Sequence, residues 1–233
     1  MFFPVFDPLY WLIALPALLL GLYAQFKVQS AYRRYSQVRN RRNISGYEAA
    51  QRLLEASGLY DVRVRETGGQ LSDHYDPRNK VLALSRGVSS VPSVAALGIV
   101  AHEVGHAMQD EQGYVPMKIR GGLVPIVQIG SWLGPIIFIA GLFLPVPNLS
   151  LVGLLLFSGT FIFSLVTLPV EMDASRRAVA LLERSGLLVG DESHGVRSVL
   201  SAASLTYVAA AVQSLSTILY YLLILSGGRR RRF

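Results

Sequence analysis

The chain has 233 residues, 52% of them hydrophobic, and its apolar residues come in blocks too long for an ordinary soluble domain. It has no cysteine, which excludes disulfides and thiolate ligands and leaves His, Asp and Glu to hold any metal. The net charge of +7 accompanies apolar segments, which favours anionic lipid headgroups over nucleic acid as its partner.

Four apolar segments are long enough to cross a bilayer, whose core requires about 20 residues. The first lacks the basic start of a signal peptide and is followed directly by Lys27, so we expect a retained anchor. A short turn at residues 145–148 joins the second and third segments into a predicted hairpin. The segments are Leu9–Phe26, Leu123–Leu144, Leu149–Val170 and Ala202–Leu225.

These segments divide the chain into five predicted parts. They are an N-terminal transmembrane anchor (1–26), a catalytic block (27–122), a transmembrane hairpin (123–170), a second polar block (171–198) and a C-terminal apolar helix with a basic tail (199–233). The fold class that follows is a mainly α integral membrane protein, whose helical domain outside the bilayer carries a small β-hairpin or sheet.

Basic residues predict how the chain is oriented. Residues 27–122 carry fourteen Lys or Arg and residues 171–197 carry four, so the positive-inside rule places both polar blocks in the cytoplasm. The expected location is the inner or plasma membrane, with several crossings. A full crossing by the last apolar segment would put the four arginines of residues 229–232 outside, so that crossing stays open.

The catalytic block begins with a basic run, Arg33 to Arg42, which we expect to face lipid headgroups. Ser45 and Glu48 then fit a capping box, which predicts the start of a helix that ends at Gly58. Alternating Val and Arg over residues 62–65 predicts a strand, followed by a turn at two glycines.

Two further segments, Leu71–Tyr75 and Val81–Ser85, predict a hairpin around a turn at residues 76–79. If Leu71–Tyr75 is an edge strand, an extended substrate could pair with it. His74 and Tyr75 are therefore candidates to lie near a substrate. The alternative for His74 is a solvated hairpin residue.

Residues 102–106 read His-Glu-Val-Gly-His within an apolar stretch of helical spacing. On a helix, His102 and His106 lie on the same face and can bind one metal ion, while Glu103 is one step around and can act as a general base. Pro92 is expected in the first turn of this helix, and Gly113 is expected to end it. Gly105 indicates either close approach by another backbone or simple helix packing.

A catalytic zinc needs three protein ligands and one open position. His74, His194 and the acidic residues are candidates for the third ligand, and Glu171, directly after the third apolar segment, is favoured, with Asp173 next. On a helix Asp173 faces away from Glu171, which suits it better to orient a histidine imidazole. Its alternative is an ion pair with a nearby arginine.

Four motifs carry a resemblance to a known protein family. Together with the order of the apolar segments, they cover nearly the whole chain. They resemble the YugP-type family of bacterial membrane neutral zinc metallopeptidases. The motifs are Ser72-Asp73-His74-Tyr75-Asp76-Pro77, Ala101-His102-Glu103-Val104-Gly105-His106-Ala107, Leu168-Pro169-Val170-Glu171-Met172-Asp173-Ala174-Ser175-Arg176-Arg177 and Ala203-Ser204-Leu205-Thr206-Tyr207-Val208-Ala209-Ala210.

The resemblance implies a bound zinc ion and hydrolysis of peptide bonds. It also favours Glu171 as third ligand, because more distant membrane gluzincin-like peptidases have a glutamate ligand on a later helix. Those relatives usually have an aspartate four residues further on, where this chain has Ser175, which leaves open the residue that orients the ligands. Tyr207 could donate to an oxyanion, although aromatic residues in apolar helices usually serve packing.

The sequence therefore predicts a membrane-bound zinc metalloendopeptidase that acts on membrane or membrane-proximal proteins. Its partners would be the lipid bilayer and a protein or peptide substrate, with no nucleic acid; a homo-oligomer or a membrane-protein partner stays open. The main alternative is a catalytically silent, metal-binding membrane scaffold or regulator. A transporter or channel is disfavoured, because the four apolar segments contain no Asp, Glu, Lys, Arg or His.

Overall fold

The structure is a computed structural model that describes residues 8–230, with side chains to residue 227. The start of the predicted anchor (1–7) and the end of the basic tail (231–233) lie outside the described residues. The helices are α1 (Pro8–Ser36), α2 (Gly46–Ala56), α3 (Arg86–Ser89), α4 (Val94–Glu111), α5 (Val115–Phe143), α6 (Leu149–Arg184) and α7 (Glu192–Arg230). The strands are β1 (Arg63–Thr67), β2 (His74–Asp76) and β3 (Val81–Ser85).

Four helices, α1, α5, α6 and α7, are long and apolar enough to cross a membrane. The predicted class, a mainly α membrane protein with four such helices and a small sheet, is confirmed. The helices are longer than the apolar segments: α1 continues beyond Phe26 to Ser36, and α6 continues beyond Val170 to Arg184. Extending an existing helix is much easier than starting one, so a polar continuation can remain helical.

The chain forms two compact units. Among the described residues, the membrane unit comprises those up to Ala24, Ile119–Leu168 and those from Thr206 to residue 230. The polar unit comprises Gln25–Lys118 and Pro169–Leu205.

In the membrane unit, glycines let α5 and α6 pack closely. A Cβ atom added to Gly153 would lie 2.2 Å from the backbone nitrogen of Phe138, and one added to Gly134 would lie 2.8 Å from that of Phe157. Small residues at such contacts are the usual means by which membrane helices associate, since apolar side chains gain little by leaving lipid. The predicted hairpin of the second and third apolar segments thus has backbone-to-backbone packing.

The polar unit contains the three-stranded sheet in the order β1-β3-β2. β2 and β3 pair antiparallel as predicted, although β2 begins only at His74. β1 pairs parallel with β3, and the sequence alone did not predict this pairing. All five residues of β3 are buried, so the central strand joins the hydrophobic core that includes residues of α2 and α4.

The helix boundaries of the polar unit follow their capping residues. The Ser45 side chain accepts from the Glu48 amide and the Glu48 carboxylate accepts from the Ser45 amide, so the predicted capping box is present. α4 begins after Ser93, whose side chain caps it, and Pro92 therefore precedes the helix instead of lying in its first turn. α4 ends just before Gly113, whose φ of +63° suits a glycine.

Candidate metal centre

One face of α4 carries the two histidines of the motif. Their spacing of four residues stacks them along the helix, and their ring centroids are 4.7 Å apart. His106 is 8% exposed, and Glu103 is exposed to the same small extent. His102 is half-buried, so most of this face is buried in the polar unit, which is unusual for polar side chains without a specific role.

α6 supplies a carboxylate to this face. α4 and α6 approach closely at Gly105, where an added Cβ atom would lie 2.7 Å from the carbonyl oxygen of Ala174. Of the two interpretations of Gly105, the structure thus shows close approach by another backbone. The approach brings Glu171, which is only 2% exposed, next to both imidazoles.

The three side chains fit the demands of one metal ion. Glu171 Oε2 lies 3.1 Å from His102 Nε2 and 3.5 Å from His106 Nε2. The three ligand atoms all lie within 4.8 Å of one another. Tetrahedral zinc with bonds near 2.0–2.1 Å separates its ligand atoms by about 3.3 Å. Two imidazole nitrogens and one carboxylate also match the ligand number of a catalytic zinc.

Gln109 orients the His106 ring. Its amide nitrogen donates to the carbonyl oxygen of Val170 at 2.8 Å and to Asp173 Oδ2 at 2.9 Å. With its NH₂ group so placed, the Gln109 carbonyl oxygen faces His106 Nδ1 at 2.9 Å and accepts a hydrogen bond from it. Nδ1 then carries the proton of a neutral ring, and the lone pair lies on Nε2, towards Glu171.

Ser175 occupies the corresponding place at His102. Its hydroxyl oxygen lies 3.2 Å from His102 Nδ1, which leaves Nε2 towards Glu171 here too. Asp173 contacts no imidazole directly: it binds Gln109 and forms ion pairs with Arg177 and Arg176. Its connection to a histidine therefore runs through the Gln109 amide, and the ion pair that was its alternative interpretation is also present.

β2 contacts the proposed general base, Glu103. The Tyr75 backbone N–H donates to Glu103 Oε2 at 2.9 Å. The Tyr75 side chain is buried, and its hydroxyl donates to Asp110 Oδ2 at 2.9 Å. The pKa of the Glu103 carboxyl is raised, because the effect of burial exceeds the lowering by the two neighbouring imidazoles. A raised pKa suits a group that has to take up and release a proton.

The other predicted histidines and Tyr207 are not part of the metal-ligand cluster. His74 is exposed, its Nδ1 lies 2.8 Å from the Ser72 carbonyl oxygen, and it is not part of the metal-ligand cluster. His194 is also exposed and outside that cluster. Tyr207 belongs to the membrane unit, where it lines a cavity.

Residues 10–226 match the family described as "Putative neutral zinc metallopeptidase". The chain belongs to this family. It is 42% identical over 221 residues to "Putative membrane protease YugP" of Bacillus subtilis (strain 168). The alignment covers 95% of this chain and 98% of that relative. No solved structure matches it.

Within this zinc metallopeptidase family, the donor set of His102, His106 and Glu171 agrees with the metal in the family's name. The sequence reasoning missed Gln109. A signal was present, because Gln109 follows His106 by three residues and so lies on the same helix face. Glutamine is common on exposed helix surfaces, however, and only its complete burial marks it as different.

Proposed function

We propose that this protein is a zinc-dependent metalloendopeptidase that hydrolyses peptide bonds of membrane or membrane-proximal proteins. The observation that carries the proposal is the cluster of a half-buried His102 with the buried His106 and Glu171, and with the buried Glu103 beside it. Membership of the zinc metallopeptidase family supports the same chemistry.

Each residue of the cluster has a role in this proposal. His102 and His106, through Nε2, and Glu171 hold the metal, and Gln109 and Ser175 fix the two rings. Zinc, when bound, supplies a Lewis acid that polarises a carbonyl group and acidifies water. Glu103 takes the proton from the attacking water and later passes it to the leaving amine.

The outer edge of β2 is the proposed place for the substrate. β2 pairs with β3 on one side, and its Tyr75 N–H points to Glu103 on the other. An extended peptide that pairs with this edge would run past the general base. This supports a position for His74 and the Tyr75 backbone close to the substrate.

We place the active site on the cytoplasmic side of the membrane. The polar blocks hold all Lys and Arg from residue 27 to residue 197, and the predicted hairpin tip has none. A cysteine at Tyr60, which is 82% exposed in the polar unit, should react with an impermeant thiol reagent only in inside-out vesicles. A cysteine at Val146 in the tip is the control and should react only in intact cells. Labelling of the Tyr60 position from outside would reverse the orientation.

The decisive experiment changes the proposed base while keeping the metal. The Glu103→Gln variant, purified with zinc, should keep its metal and lose about 10²–10⁴-fold in peptide hydrolysis. Glu111→Gln, an exposed position on the same helix, is the control and should remain active. If the wild-type protein binds zinc but cleaves no peptide, the silent scaffold is the better description. Full activity of Glu103→Gln would reject the mechanism.

A further inference from the structure

Tyr75 of β2 contacts α4 at two separate points. Its backbone N–H donates to Glu103 Oε2 at 2.9 Å, and its hydroxyl donates to Asp110 Oδ2, also at 2.9 Å. Glu103 and Asp110 are seven residues apart, so they lie on the same face of α4, about two turns or 10.5 Å from each other along the axis. The strand is therefore attached to this helix both by its backbone and by a side chain.

The backbone contact holds the proposed general base. Within residues 8–227, the Glu103 carboxylate accepts one hydrogen bond, and the Tyr75 N–H donates it. Glu103 is buried, and a buried carboxylate is oriented by the donors that reach it. The orientation of the carboxylate therefore depends on where the backbone of Tyr75 lies.

The pairing of β2 with β3 does not by itself fix the Tyr75 N–H. In an antiparallel pair, residues alternate between those that bond the partner strand and those whose N–H and C=O groups point away from it. The Tyr75 N–H points to Glu103, so the bonds to β3 fall to its neighbours, His74 and Asp76. β2 is also only three residues long and lies at the edge of the sheet. The backbone at Tyr75 thus depends on a further support.

The side-chain contact supplies that support. The Tyr75 ring belongs to the hydrophobic core, and burial together with the Asp110 carboxylate raises the pKa of its hydroxyl. The hydroxyl therefore stays protonated and donates. Lys80, which directly precedes β3, has its Nζ 3.0 Å from the same Asp110 oxygen and balances the charge of that carboxylate. The bond between Tyr75 and Asp110 thus fixes how closely β2 approaches α4.

We propose that Tyr75 and Asp110 are positioning residues for Glu103: the hydrogen bond between their side chains holds β2 where the Tyr75 N–H orients the Glu103 carboxylate. The role of Glu103 as general base rests on the proposed function. A base has to lie within hydrogen-bond reach of the proton that it takes. A shift of Tyr75 would therefore make the base less efficient without removing a metal ligand.

Loss of the side-chain bond should lower the rate of the chemical step alone. In Tyr75→Phe, which keeps the ring, and in Asp110→Ala, we expect kcat for a soluble peptide to fall about tenfold, a part of the roughly 10²–10⁴-fold that a general base contributes. KM and zinc affinity should not change, because no metal ligand is altered. Asp110→Asn keeps an oxygen that can accept from the hydroxyl, so its kcat should stay within about threefold of the wild type.

Amide hydrogen exchange of the full chain, resolved to single residues by mass spectrometry, tests the same pair without any hydrolysis. Exchange at residue 75 should become about tenfold faster in Tyr75→Phe and Asp110→Ala, because the N–H is held less firmly. Glu103→Ala, which lacks the acceptor, gives the rate of the unbonded N–H. Exchange at His74 and Asp76, which pair with β3, should not change.

A change elsewhere in the core is the control for a general loss of stability. Ile44→Val removes one carbon atom from the same hydrophobic core and should lower the free energy of unfolding. It should leave kcat and the exchange at residue 75 as they are in the wild type. A tenfold effect in Tyr75→Phe that Ile44→Val does not reproduce therefore belongs to the side-chain bond.

An unchanged kcat in Tyr75→Phe would overturn the proposal, and so would a raised KM with unchanged kcat, which would make the pair a support for the substrate. Equally faster exchange at all three residues of β2 would also overturn it, because a less stable strand would then explain the lower kcat. If the wild-type protein cleaves no peptide, the proposed function fails, while the exchange at residue 75 still decides whether Tyr75 and Asp110 hold the N–H on Glu103.

Discussion

The two units satisfy their polar groups in different ways. In the polar unit the partners are far apart in the sequence: Glu171 contacts His102, 69 residues away, and Gln109 binds the Val170 carbonyl, 61 residues away. In the membrane unit, hydroxyls such as those of Ser164 and Thr217 bind carbonyl groups four residues away on their own helix. The candidate metal centre therefore depends on tertiary packing, whereas the membrane hydroxyls are held in place by their own helices.

The largest fall in zinc affinity should follow from loss of the Glu171 carboxylate, which α6 brings to the two histidines of α4. Glu171→Ala removes one of three ligand atoms, and we expect zinc affinity to fall by more than about 100-fold, because even residues that only orient ligands cost 10–100-fold. Zinc affinity is measured by competition with a chelator. Glu183→Ala, an exposed position on the same helix, is the control. Unchanged affinity in Glu171→Ala would transfer the ligand role to another residue, with Asp173 as the next candidate.

Gln109 tests how far the long-range network supports the metal. Gln109→Met keeps the length of the side chain but can neither accept from His106 Nδ1 nor donate to Val170 and Asp173. We expect zinc affinity to fall by about 10–100-fold. Gln112→Met is the matched control, because that amide accepts from Arg177 and contacts no histidine. If both variants bind zinc like the wild type, the amide does not determine the ring orientation.

The sequence could predict those features that are determined by residues close together in the chain. The Ser45–Glu48 capping box and the spacing of His102 and His106 depend on neighbours within one or two turns, and the apolar segments depend on length and composition alone. The parallel pairing of β1 with β3 was not predictable, because it joins strands that are separated by β2. The role of Gln109 was missed for the same reason: its partners Val170 and Asp173 come from α6.

Two glycines allow the same chemical change to be made in both units. Gly105→Ala in α4 would meet the Ala174 carbonyl oxygen at 2.7 Å, and Gly153→Ala in α6 would meet the Phe138 nitrogen at 2.2 Å. Each should destabilise its unit by about 1–3 kcal/mol, because a backbone has to shift. Only Gly105→Ala should also weaken zinc binding.

Thermal unfolding and zinc competition measured on the same preparations separate the two results. Gly122→Ala is the control, because nothing lies within 4 Å of its added Cβ atom. It should be neutral or slightly stabilising, since alanine favours a helix over glycine. Equal loss of zinc affinity in Gly105→Ala and Gly153→Ala would mean that the metal centre depends on both units.

The smallest change in zinc affinity should come from Ser175, where one substitution should lower the affinity and another should raise it. Ser175→Ala removes the 3.2 Å contact with His102 Nδ1, and we expect about a fivefold loss of zinc affinity, the value of one neutral hydrogen bond. Ser175→Asp places a carboxylate at the same position, as in the more distant gluzincin-like relatives. A carboxylate accepts from Nδ1–H more strongly and makes the ring a better ligand, so zinc affinity should rise above that of the wild type. A fall in both variants would show that packing, and not the hydrogen bond to His102, is what position 175 contributes.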